Sequence, residues 1–342
     1  MKEIGSEFWS VPSGNKAYLL SGRTALEYII RDILRTLGTL KVCLPSYCCH
    51  TMIEPFVRHG FDIRFYDVYF EDKHGLCADI PKLCKDEIFY HMSYFGFGQL
   101  QGRHLDKIRE QCALIIDDRT HSFLSKSDID ADYTYTSFRK WAGFYGIAEA
   151  TKSFGTFSLP IEKSGVAYTE KRREAMELKA RYMAGEPVEK NEFLTLYGVA
   201  EDMLESDYVG YRPTEQAMTQ LLSADFASIK QRRKQNAAVL LTGLQNVPGV
   251  RLLFPEQLQT DVPLFVPILV EGNRDALRKY LIENQVYCPV HWPISDFHKG
   301  IGERAEKIYR KELSLLCDQR YQKEDMERIV WLIKRFVSKE RI

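Results

Sequence analysis

The chain has no net charge: 47 lysines and arginines balance 47 aspartates and glutamates across 342 residues. That balance removes any global pull toward nucleic acid or an anionic membrane surface. No apolar run approaches the roughly 20 residues that span a bilayer. The opening MKEIGSEFWS lacks the apolar core of a signal peptide. Neither a membrane nor a nucleic-acid partner is expected, and a cytoplasmic location is. None of the eight cysteines forms a C-x-x-C pair, and so long a chain needs no disulfide staples. Reduced thiols are expected. No four ligands at zinc-binding spacing can be assembled either, so no metal is expected. Internal repeats and low-complexity stretches are also absent. What remains is an ordinary globular composition, 45% hydrophobic and 27% charged, which favours a metabolic enzyme.

The first half alternates short apolar runs with helical patterns. Residues 24–37 carry apolar side chains at helical spacing, with Gly38 as a C-terminal stop. KVCLP is a short run ended by Pro45, a second helical stretch runs through Phe56, and FDIRFYDV reads as a strand. Residues 88–92 predict a strand, residues 105–111 a helix, and ALII at 113–116 a buried parallel strand. Strands alternating with helices predict a parallel α/β sheet with right-handed crossovers. Residues 162–200 are charged and helical, and residues 215–244 read as one long helix with Arg232, Arg233 and Lys234 on a solvated face. The character changes at Gly249, with VRLLF, VPLFVPILV, a helix near 275–284, VYCPVHWP and a last helix over 323–337. The spacing predicts a large domain over 1–240 and a smaller α+β domain over 241–342.

Three features could carry chemistry. Ser21-Gly22-Arg23-Thr24 is a small polar turn opening a helix. Its unpaired N–H groups and positive dipole suit a phosphate, although a plain N-cap by Ser21 or Thr24 would look the same. Asp117-Asp118 follows the ALII strand, and ligands of open α/β sheets bind at the carboxyl ends of strands. Two adjacent acids leave a strand in different directions, so one of them faces the site. Ser137-Phe138-Arg139-Lys140 puts a hydroxyl and an amine three residues apart, on one side of a turn. A serine there can hold a phosphate oxygen while the lysine reaches an aldehyde of the same cofactor. Taken singly, an exposed lysine is the plainer reading.

The order of these features is that of pyridoxal-phosphate (PLP) aminotransferases. Seven segments together resemble the DegT/DnrJ/EryC1/StrS family of sugar aminotransferases. They are LLSGRTALEYII, VCLPSYCCHTMIEPFVRHGFDIRFYDV, HMSYFGFGQ, LIIDDRTHS, SFRKW, GYRPTEQAMTQLL with IKQRRKQNAAVLLTGL, and LSLLCDQRYQKEDMERIV. The resemblance implies PLP-dependent transferase fold type I, aspartate aminotransferase-like, with a mostly parallel central sheet. It implies that Lys140 is the Schiff-base lysine and that Asp118 bonds the pyridine nitrogen. His121 would lie beside the ring and its phenolic oxygen. Gly22 and Arg23, through backbone N–H, and Ser137 would contact the phosphate, and Tyr47 or Cys49 would pack on the ring.

Three departures surround the substrate mouth and the subunit contact. WAGFYGIAEA, with Gly143 and Gly146 only, stands where the family has a richer glycine stretch, Arg23 stands for its threonine, and Gly210 for its asparagine. The resemblance implies a homodimer that moves an amino group, from glutamate, to a keto-sugar nucleotide in surface-polysaccharide or secondary-metabolite biosynthesis. The alternatives are a different PLP reaction on a non-sugar amine and a non-catalytic binding or regulatory relative. His291-Trp292-Pro293 resembles a small-domain loop near the substrate, with a packed loop as the plainer reading. His91 and Tyr94 could line the pocket or the core.

Overall fold

The computed structural model describes residues 15–98, 105–127 and 129–339. The first half supplies strands β1 (Lys16–Leu19), β2 (Lys41–Pro45), β3 (Asp62–Glu71), β4 (Gly75–Asp79), β5 (Glu87–Met92), β6 (Leu114–Asp118), β7 (Tyr133–Ser137) and β8 (Ala148–Lys152). They form one sheet in the order β1-β8-β7-β6-β5-β2-β3-β4. β7, β6, β5, β2 and β3 run parallel. β8 runs against both β7 and β1, and β4 runs against β3. Every residue of β5 and β6 is buried, as expected for central parallel strands covered on both faces. Helices α1 (Gly22–Thr36), α2 (His50–Arg58) and α3 (Leu105–Gln111) connect these strands.

A helical hairpin follows, α4 (Val166–Met183) and α5 (Lys190–Ser206). Two short parallel strands, β9 (Lys163–Ser164) and β10 (Tyr211–Arg212), close its base. The single helix expected over 215–244 is two helices, α6 (Glu215–Leu222) and α7 (Phe226–Leu244). Asp225 makes the break: its carboxylate accepts the Ser228 N–H at 3.0 Å and caps α7. The solvated reading of Arg233 is also corrected. Its side chain is buried, with Nη1 donating to the Leu264 carbonyl (3.0 Å) and Nη2 to that of Trp141 (3.2 Å).

The C-terminal part builds an antiparallel sheet from β11 (Val250–Leu252), β12 (Phe265–Val270) and β13 (Glu312–Leu316). It also contributes helices α8 (Arg274–Glu283), α9 (Glu303–Lys311) and α10 (Lys323–Lys339). The loop after β5 fastens the two sheets together. Leu264 N–H donates to the Phe95 carbonyl (2.7 Å) and Val262 N–H to that of Gly96 (3.1 Å). Gly96 has φ +83°, and a Cβ there would lie 2.0 Å from the Val262 oxygen. Only glycine fits both the backbone conformation and the close approach.

Candidate active site

β1, β6 and β7 all end at one rim of the sheet, where β8 begins: Leu19 and Ser137 both pair with Ala148. The carboxyl end of parallel strands is where such sheets bind ligands. After β1 the chain turns into α1. Ser21 caps it, accepting the Thr24 N–H at 3.1 Å. The capping reading and the phosphate reading coexist, because the Gly22 and Arg23 N–H groups in that first turn have no intrahelical acceptor. A Cβ on Gly22 would meet Ser137 Cβ at 3.1 Å and Ser137 Oγ at 3.7 Å, with Thr120 Oγ1 at 3.8 Å. The absence of that Cβ leaves a small polar cradle between α1, β7 and the turn after β6. Ser137 Oγ is buried in it with no hydrogen-bond partner. A buried unpaired hydroxyl is unfavourable, so the cradle suits an oxygen-rich anion. The Arg23 side chain turns away and pairs with Glu205 on α5 at 2.6 Å.

One turn beyond Ser137, a 3-10 segment (Phe138–Lys140) carries Lys140. The next residue anchors it. Trp141 is fully buried, its indole donates to the Thr120 carbonyl (2.9 Å), and its own carbonyl accepts from Arg233 and from Gln319 (2.9 Å). Lys140 itself lies at this rim and reaches solvent. Desolvation, then the Arg139 guanidinium, pull its pKa below the ordinary lysine value, against the opposing pull of Cys49, Glu201 and Asp118. Arg139 points the other way, to Glu201 on α5.

The two acids after ALII separate as strand alternation requires. Asp117 turns to His91, 2.8 Å away, and to Ser127. Asp118 is buried on the other face. Tyr90 and Tyr135 hydroxyls donate to its Oδ2 at 2.9 and 2.8 Å, and the Thr120 N–H donates to Oδ1 at 2.8 Å. Burial raises the Asp118 pKa, while the bonds from Thr120, Tyr135 and Tyr90 hold it down. Oδ1 still has a free lone pair for a further donor. Neither tyrosine was singled out in the sequence. Tyr135 stands directly opposite Asp118 in the β6–β7 register, a cue visible only once the pairing is known.

His121 follows Asp118 in the same turn. It is buried, with Nδ1 unpartnered. Its ring lies against Phe95, Trp292 and His291, with centroids 5.2, 5.5 and 5.6 Å away. Burial, His291 and Lys140 keep it neutral by holding its pKa well below the ordinary value. Of the two residues left open for ring packing, Tyr47 is fully buried in an aromatic wall with Tyr94, Trp292 and Tyr309. Cys49 is half-buried, stands at the N-cap position of α2 without a side-chain capping bond, and acts electrostatically on Lys140. His91 and Tyr94 are buried behind the recess, Tyr94 donating to the Tyr47 carbonyl.

No protein-family model matches the chain, and no curated protein matches it. Solved structures do. The protein Spr1654 from Streptococcus pneumoniae, in its PLP form, aligns at TM-score 0.63 and 15% identity over 95% of this chain and 87% of that one. A DegT DnrJ EryC1 StrS aminotransferase from Brucella abortus aligns at 0.61 and 16%, over 94% and 85%. DesI, in the presence of its TDP-sugar product, aligns at 0.62 and 14%, over 95% and 81%. This is the fold of PLP-dependent aminotransferases of fold type I. No helix among the described residues is long and apolar enough to cross a membrane.

Proposed function

We propose that the protein is a PLP-dependent aminotransferase that moves an amino group from glutamate to a keto-sugar carried on a nucleotide, working as a homodimer. One observation carries the reading. An orphaned, buried Ser137 Oγ sits in a cradle at the N-terminus of α1, one turn before Lys140. The residues present fit PLP. Gly22 and Arg23 N–H with Ser137 Oγ would hold the phosphate, Lys140 the aldehyde end, Asp118 the ring nitrogen and His121 Nδ1 the phenolic oxygen. When bound, PLP supplies an electron-poor ring that draws charge from the carbon being deprotonated.

This chain's residues do the rest. Asp118 would hold a proton at the ring nitrogen. With PLP bound, Lys140 Nζ as a free amine would take the proton from the substrate Cα as general base and give it back as general acid. Desolvation suits it to that task, because only the neutral amine can accept a proton. The sugar-nucleotide part rests on the resemblance and on the TDP-sugar product that accompanies DesI.

The test is the visible spectrum of purified protein with PLP, before and after L-glutamate, alongside Lys140→Ala. We expect a band in the wild type that is absent from the variant and that glutamate abolishes. A band indifferent to glutamate would leave PLP but overturn the donor. No band at saturating PLP would overturn the enzyme reading.

A further inference from the structure

Beyond Lys140 and Asp118, the recess has a second line of titratable groups, contributed by the C-terminal sheet. His291 is buried, and its Nδ1 lies 2.8 Å from Ser314 Oγ. Ser314 Oγ in turn contacts Glu312 Oε1, and Glu312 Oε2 accepts the His291 backbone N–H at 2.6 Å. Glu312 and Ser314 are wholly buried on β13. His291 Nε2 is left without a protein hydrogen bond among the described residues.

The surroundings of this line are otherwise sparse in charge. His291 is faced by Phe95, His121, Phe265 and its neighbour Trp292. Lys140 acts on it across the recess. Tyr47 Oη donates to its carbonyl. Glu312 is faced by Arg274 of α8, which bonds the Glu312 carbonyl at 2.9 Å, and lies in reach of Tyr47 and Cys288.

We propose that Glu312 and Ser314 decide which nitrogen of His291 carries its proton, so that Nε2 meets the substrate as donor or acceptor according to the charge on Glu312. The inference rests on the reading of the Lys140 recess as the substrate site. The protons balance as follows. With Glu312 ionised, the Ser314 O–H donates to Oε1, Ser314 Oγ accepts from Nδ1–H, and Nε2 offers a lone pair. A proton taken up at Nε2 lets Nδ1–H pass to Ser314 Oγ and the serine proton pass to Glu312 Oε1. Ser314 then donates to Nδ1, and Nε2 carries the proton. A neutral imidazole has one N–H, and its position follows the partner of the other nitrogen. Burial, then Lys140, hold the His291 pKa down to about 3, so the ring stays neutral and only its tautomer can vary. Burial pushes Glu312 up to about 8, against the bonds from Ser314 and from the His291 N–H. Glu312 is thus a positioning residue that acts through His291.

The experiment is two-bond 1H–15N NMR of histidine-labelled protein without cofactor, from pH about 6.5 to about 9.5 to bracket the carboxyl transition, with His291→Gln to assign the signal. In the wild type, Nε2 should change from protonated to unprotonated as pH rises through about 8. Glu312→Gln should keep the proton on Nε2 throughout, because the amide N–H donates to Ser314 as a protonated carboxyl would. Ser314→Ala should uncouple the tautomer from pH. An unchanging tautomer in the wild type, or switching in Ser314→Ala, would overturn the proposal; these two proteins decide even if Glu312→Gln does not fold. In the PLP-loaded protein, the glutamate half-reaction should show an inflection near 8 that Glu312→Gln lacks. Because the NMR arm uses no cofactor, absence of a PLP band would sink the enzyme reading without touching this one.

Discussion

Glu312→Gln should stabilise the fold in alkali and not in acid. The folded protein holds the Glu312 proton up to about 8, against an ordinary value of 4.5. Below 4.5 both folded and unfolded chains are protonated there, and the group contributes no slope. Between the two values the folded state keeps a proton that the unfolded state has shed, so stability falls as pH rises, and above 8 it falls no further. At about 1.4 kcal/mol per pH unit, a gap of about 3.5 units gives at most about 5 kcal/mol. Glutamine has no proton to lose, so the variant lacks this slope. His291 works in the opposite sense. Its pKa is lowered from 6.5 to about 3, so its contribution is present above 6.5 and lost as pH falls toward 3. From these two groups alone, wild-type stability is flat between 4.5 and 6.5, where one proton held by the folded state offsets one held by the unfolded state. Urea unfolding followed by circular dichroism, at pH about 5 and about 9, gives the comparison. The difference between variant and wild type should move by several kcal/mol toward the variant at the higher pH. An equal difference at both pH values would refute a neutral buried Glu312.

Ser137→Ala should weaken PLP binding by about ten- to a hundredfold, the worth of one hydrogen bond to a charged group. It should not lower the melting temperature, since Oγ has no protein partner; absorbance titration with PLP and a thermal melt check both halves. Gly96→Ala should cost at least about 2 kcal/mol, from the left-handed backbone and the backbone clash together, read as a lower urea midpoint. Tyr135→Phe removes one of the bonds that hold the Asp118 pKa down, so Asp118 should take its proton at higher pH. Bound PLP should then be released at a higher pH on acidification than in the wild type, measured by the visible band after gel filtration.

Much of the site was legible because its parts are local. SGRT opens a helix, LIIDD is a buried parallel strand, and SFRK is a single turn, and each announces itself within a few residues. The chemistry that tunes these parts is not local. Asp117 and Asp118 are indistinguishable as letters, and only the pleat sends one to His91 and the other to the recess. Tyr90 and Tyr135 are 28 and 17 residues from Asp118, and they converge on one carboxylate oxygen because β5, β6 and β7 pair in register. Glu201 lies on α5, and tertiary docking turns it onto Arg139 and Arg172. Glu312 is the sharpest case. Glu312 opens the short run ELSLL, and glutamate is rarely buried without a partner. Its partner lies 21 residues back, brought alongside when the Ser314 N–H bonds the Pro289 carbonyl at 3.0 Å. A linear reading finds the groups proposed to hold a cofactor, because helix starts and strand ends place them. The groups that set the protons on those residues come from strand pairing and domain docking, so they emerge only from the fold.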